Sequence, residues 1–74
     1  MDFSEAIRER RLPDPKTRRA LREASGVTVA EVAALIGVSR QAVWRWEKGL
    51  REPAGRDRGL YARFLDDARK AVSL

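Results

Sequence analysis

The sequence predicts an all-α protein, a compact bundle of four to five short helices with two of them joined by a tight turn. Three observations lead there. Apolar residues recur at intervals of three and four, the spacing that gathers them on one side of a helix. Most of these stripes follow a residue able to cap a helix and precede glycine or proline. No run of four or more residues alternates apolar with polar, as a half-buried strand requires.

Taken in order, Ser4 is placed to cap a first short helix running through Arg11, with Phe3 and Ile7 on its apolar side. Leu12-Pro13-Asp14-Pro15 ends it. A second helix is expected from about Lys16 to Ala24, stopped by Ser25-Gly26. Thr28 caps a third, and Glu31, three residues on, completes a capping box. Val29, Val32, Ala33 and Ile36 form its core stripe. Gly37 provides the positive-φ residue for a sharp turn. Ser39 then caps a helix that runs to about Lys48 and closes at Gly49. Leu50 to Gly55 reads as a loop around Pro53. A last helix is expected from Arg56 or Asp57 to about Val72, with Leu60, Tyr61, Phe64, Leu65, Ala68 and Val72 along one side.

Composition narrows the function. A chain of 74 residues holds one small core. It has no cysteine, so no disulfide or thiolate metal site is expected, and no histidine, which removes the usual general base and the commonest metal ligand. Enzymatic activity, cofactors and a small-molecule ligand are therefore not expected. Asp66-Asp67 is no catalytic pair, because adjacent helical side chains diverge by about 100°. No apolar run approaches a membrane span and Met-Asp-Phe-Ser-Glu is not a signal peptide, which implies a cytoplasmic protein without a membrane partner. Sixteen basic residues against eleven acidic ones give a formal charge of +5, suited to a polyanion. All but Lys16, Lys48 and Lys70 of the basic residues are arginine, which favours bidentate pairing with phosphate or guanine.

The helix after Ser39 carries two incompatible faces. Val43 and Trp46 share one side, with Ala42 beside them. Gln41, Trp44, Arg45 and Lys48 follow the helical rule on the other, flanked by Arg40. Guanidinium, amide and indole groups on one wet face are the groups that reach base edges and phosphates. This helix reads as a DNA recognition helix.

Leu21-Arg22, Gly26-Val27-Thr28, Glu31-Val32-Ala33, Ile36-Gly37-Val38-Ser39, Val43 and Trp46-Glu47-Lys48-Gly49 together resemble the lambda-repressor-like, Cro/CI (XRE) helix-turn-helix family. The matching stretch runs from about Lys16 to Gly49 and extends through the last helix. The resemblance implies residues 14–74 as the DNA-binding domain and residues 1–13 as an N-terminal helical extension. It implies a transcriptional regulator, commonly phage or bacterial, of the Cro-like or minimal repressor kind. A homodimer on a palindromic operator often accompanies it. The family usually has Gln just after the first cap of the motif, where it touches a phosphate; Val29 stands there instead.

In that geometry the first turn of the reading helix approaches the bases. Arg40 and Gln41 are thus expected to contact base edges, Arg with guanine and Gln with adenine. Arg45 continues toward bases. Trp44 either rests on a thymine methyl or sugar, or folds back on Leu50 or the Arg40 stem. Backbone contacts are assigned to Lys48, Arg51, Thr28 and Ser39, the last two through helix N-termini, and to Arg18 and Arg19. Arg22 and Glu47 match a family ion pair and are given to structure. Trp46 is expected in the core against Leu21 and Ile36, and Arg56, Arg58 and Arg63 in solvent. Two other readings compete. An excisionase-like recombination factor would add a β-hairpin wing after the reading helix. An antitoxin-type protein-interaction module would use the Phe3-Ile7-Leu12 face or the Tyr61-Phe64-Leu65 helix.

Overall fold

The computed structural model describes residues 11–73, so the helix expected from Ser4, with Phe3 and Ile7, falls outside the described residues. Four helices follow: α1 (Pro15–Ala24), α2 (Val29–Ile36), α3 (Arg40–Lys48) and α4 (Gly55–Val72). The described residues contain no strand.

Local chemistry accounts for each boundary. Leu12-Pro13-Asp14-Pro15 opens α1, and Arg11 is already non-helical. The Asp14 side chain accepts the Thr17 backbone N–H at 2.8 Å, and Pro15 takes the first helical position, where a missing N–H costs nothing. At α2, Thr28 and Glu31 form the reciprocal capping box. Gly37 ends α2 at φ 87°, and the Val38 N–H returns to Ala33 O at 3.0 Å, turning the chain within two residues toward α3. Ser39 caps α3 by accepting from the Ala42 N–H at 3.1 Å. Helix α4 begins without a side-chain cap, at Gly55 rather than Arg56, with Asp57 in its first turn to complement the dipole.

The core lies between α2, α3 and α4, with α1 packed against α3 and α4. Val32, Ala33 and Ile36 of α2, Val43 and Trp46 of α3, and Tyr61 and Leu65 of α4 form one buried cluster, with Leu21 of α1 packed against it. The Trp46 and Tyr61 rings meet at 4.8 Å between centroids, tilted by 45°. Truncating such a buried indole typically costs about 3–5 kcal/mol. That is a large share of the roughly 5–15 kcal/mol that holds a domain together. Trp46 is therefore architecture. So are Tyr61 and Leu65, which the core buries, with Phe64 partly buried beside them. The Tyr61 hydroxyl is buried without a hydrogen-bond partner among the described residues. Burial, then the nearby Glu47 charge, raises its ionisation well above the ordinary tyrosine value.

Candidate nucleic-acid interface

Helix α3 divides sharply along its length. Val43, Trp46 and Glu47 are buried, while Arg40, Gln41, Trp44, Arg45 and Lys48 all face outward. One side is thus fixed by the core. The other is left to solvent by a fold that had no use for it.

Two sets of cations stand out among the described residues. Those of α1, Arg18, Arg19 and Arg22, each pair with a carboxylate of this chain. Arg22 is clamped to Glu47 through Nε at 2.6 Å and Nη2 at 3.0 Å, and Nη1 donates to Val27 O at 3.0 Å. This pair raises the Arg22 pKa, chiefly by the hydrogen bond to Glu47. Arg19 stays exposed beside Glu23, its i,i+4 partner at 2.7 Å. Arg18 corrects the expectation of a phosphate contact: only 4% of the residue is exposed. Its Nε donates to Pro13 O at 2.7 Å, Nη1 to Trp46 O at 3.1 Å, and Nη2 to both Glu52 carboxylate oxygens at 3.0 and 2.9 Å. The guanidinium is thus turned inward, onto partners within this chain. Arg40, Arg45, Lys48 and Arg51 form the second set, exposed and with no carboxylate partner among the described residues. Glu47 is the one acid within α3, and Arg22 holds it on the inner face.

Trp44 is 48% exposed, and the Lys48 ammonium stands 5.8 Å from its ring centroid. That contact lies near the outer limit of a cation–π interaction and orients the indole without burying it. Leu50 is exposed as well.

The two helix N-termini differ. At α2 the Glu31 carboxylate accepts from both the Thr28 N–H (3.1 Å) and the Thr28 hydroxyl (3.0 Å). An exposed carboxylate thus already accepts from both Thr28 donors. The first turn of α3 holds no acid, and Ser39 occupies the Ala42 N–H. That end keeps the positive pole of the helix open. Val29, where the family's phosphate-touching residue would stand, packs against the core.

Three further arginines were expected in solvent. Arg63 is exposed, Arg58 is partly buried and engaged, and Arg56 donates to Ile36 O, the last carbonyl of α2, at 3.5 Å. Sequence reasoning missed Asp14 and Glu52. The first had a local signal, an acid followed by proline and by a free backbone N–H three residues on. The second had none, since its partner lies 34 residues away.

No described helix is long and apolar enough to cross a membrane. No curated protein and no solved structure matches the chain significantly. A family model described as a helix-turn-helix domain matches residues 19–68, from within α1 to near the end of α4. With the α2–turn–α3 unit at its centre and more than half of its length matched, the chain belongs to the DNA-binding helix-turn-helix family, of the XRE/Cro-like type.

Proposed function

We propose that the protein is a sequence-specific regulator of transcription, a Cro-like or minimal repressor that reads an operator major groove with α3. One observation carries this reading. The outer face of α3 gathers Arg40, Gln41, Arg45 and Lys48 around an exposed indole, and none of these cations is neutralised by a described carboxylate. A surface that only needs to be wet has no reason to leave like charges together. A surface that meets a polyanion does, because each neutralised phosphate releases condensed counterions.

Within that reading Arg40 and Gln41, at the open positive end of α3, contact base edges, and Arg45 and Trp44 continue along the groove. Ser39, Lys48 and Arg51 meet the flanking phosphates. Binding as a homodimer to two half-sites of a palindrome fits a reader this short. The excisionase-like alternative is disfavoured, because the chain after Gly49 leads into α4 rather than a hairpin wing.

Selection of bound duplexes from a random library, followed by sizing of the complex, tests the proposal. The expected result is an enriched site with two-fold symmetry and two subunits per duplex. Arg40→Ala or Gln41→Ala should relax selectivity at single positions while leaving the fold intact. Failure of the wild-type chain to enrich any sequence would overturn the reading.

A further inference from the structure

Arg18 and Arg22 stand one turn apart on α1 and grip consecutive residues at the end of α3. Arg22 holds the Glu47 side chain and Arg18 the Trp46 carbonyl, one of the acceptors that a helix C-terminus leaves unsatisfied. Arg18 reaches one step further, to Glu52. Between these anchors lies the short connection to α4. Its near end is fixed by the Gly49 and Leu50 N–H groups, both bonded to Arg45 O. Its far end is fixed by Glu52 and by the buried Pro53. Arg51 is the exposed cation in the middle.

We propose that the Arg18–Glu52 pair is a positioning clamp that fixes where Arg51 meets the DNA backbone; this rests on the DNA-binding reading above. The clamp does two things. It holds a non-helical segment in one conformation, so that Arg51 is presented without being ordered at the moment of binding. It also draws the Glu52 carboxylate onto a buried guanidinium. There it neither competes for its neighbour Arg51 nor repels phosphate at full strength. Arg18 and Glu52 touch no DNA themselves and act through Arg51.

Glu52 is the residue to change. Its side chain is 55% exposed, and without it Arg18 keeps its bonds to Pro13 O and Trp46 O. The test is a cycle of Arg51→Ala, Glu52→Ala and the double variant, titrated at several salt concentrations against the duplex enriched from the random library. Arg51→Ala should lower the salt slope by about 0.9, the value of one phosphate contact. Glu52→Ala should lower it similarly and weaken binding, and the double variant should lose nothing more. Charge alone predicts the opposite sign, because removing an acid beside DNA tightens binding. Glu52→Gln, which keeps an oxygen for Arg18, should retain the slope. Tighter binding by Glu52→Ala, an unchanged slope in either single variant, or losses that add in the double variant would each overturn the clamp while leaving the DNA-binding reading intact. A wild-type chain that retains no duplex overturns both.

Discussion

Arg22 and Glu47, 25 residues apart, share two hydrogen bonds at 2.6 and 3.0 Å. Their side chains are only 13% and 5% exposed. The pair ties α1 to the end of α3. Burial makes it sensitive. Removing one partner strands a charge where water cannot reach it, and such losses run to about 3–5 kcal/mol. Arg22→Ala and Glu47→Ala should each cost close to that in chemical denaturation. The double variant should recover part of the loss, since no lone charge remains. Strict additivity would show that the two side chains do not stabilise the fold as a pair.

Gly49 meets two demands at once. Its φ of +72° disfavours any side chain, and a Cβ placed there would lie 3.1 Å from Pro15 Cγ. Gly37 has a similar φ of +87° but open space around it. Asparagine tolerates the left-handed conformation better than other side chains. Gly37→Asn should therefore cost little, while Gly49→Asn should cost more, because Pro15 must give way by a few tenths of an ångström. Equal melting temperatures for the two variants would refute the steric part of this account.

Asp14 gives α1 a pH dependence of known sign. Hydrogen bonds from Thr17 hold its carboxyl below the ordinary value of 3.8. A depressed folded-state pKa contributes stability above the unfolded value and loses it as pH falls through the folded one. Asp14→Ala should therefore melt below the wild type at neutral pH, with the gap closing on acidification below 3.8. Asp14→Asn, which caps without a charge, should not reproduce that acid-dependent change. Thermal melts of the three proteins from pH 7 to pH 2 would decide it.

The buried Tyr61 hydroxyl predicts a stabilising deletion. An unsatisfied polar group in a core carries a desolvation cost of about 1–3 kcal/mol. Tyr61→Phe keeps the ring against Trp46 and removes that cost. It should raise the melting temperature, where about 1 kcal/mol corresponds to roughly 4–8 °C for a domain of this size. A lower melting temperature would reveal a hydrogen bond to the hydroxyl.

Short-range signals were legible in the sequence and long-range ones were not. Thr28 with Glu31, Ser39 before α3, and the glycines at 37 and 49 each act within four residues, so their spacing alone states their role. The two faces of α3 were readable for the same reason, from Val43 and Trp46 against Gln41, Arg45 and Lys48. Arg18 and Arg22 show the limit. Both are arginines on one face of α1, one turn apart, and composition cannot tell a buried anchor from a phosphate contact. The difference is made by Glu52 and the Trp46 carbonyl, which only the folded chain brings near. The role of Arg22 was inferable only through the family's ion pair. Asp14 was misjudged differently: Pro-Asp-Pro ends one helix as readily as it begins another, and the Thr17 N–H decides.

The chain has two tryptophans, and the fold places them in opposite surroundings. Trp46 is sealed against Tyr61, whereas Trp44 stands in solvent beside Lys48. Their emission should therefore differ in colour and in sensitivity to quenchers. Loss of the blue component follows denaturation, and changes confined to the red one follow whatever alights on α3. The molecule carries separate built-in fluorophores for its integrity and for its occupancy, with no label required.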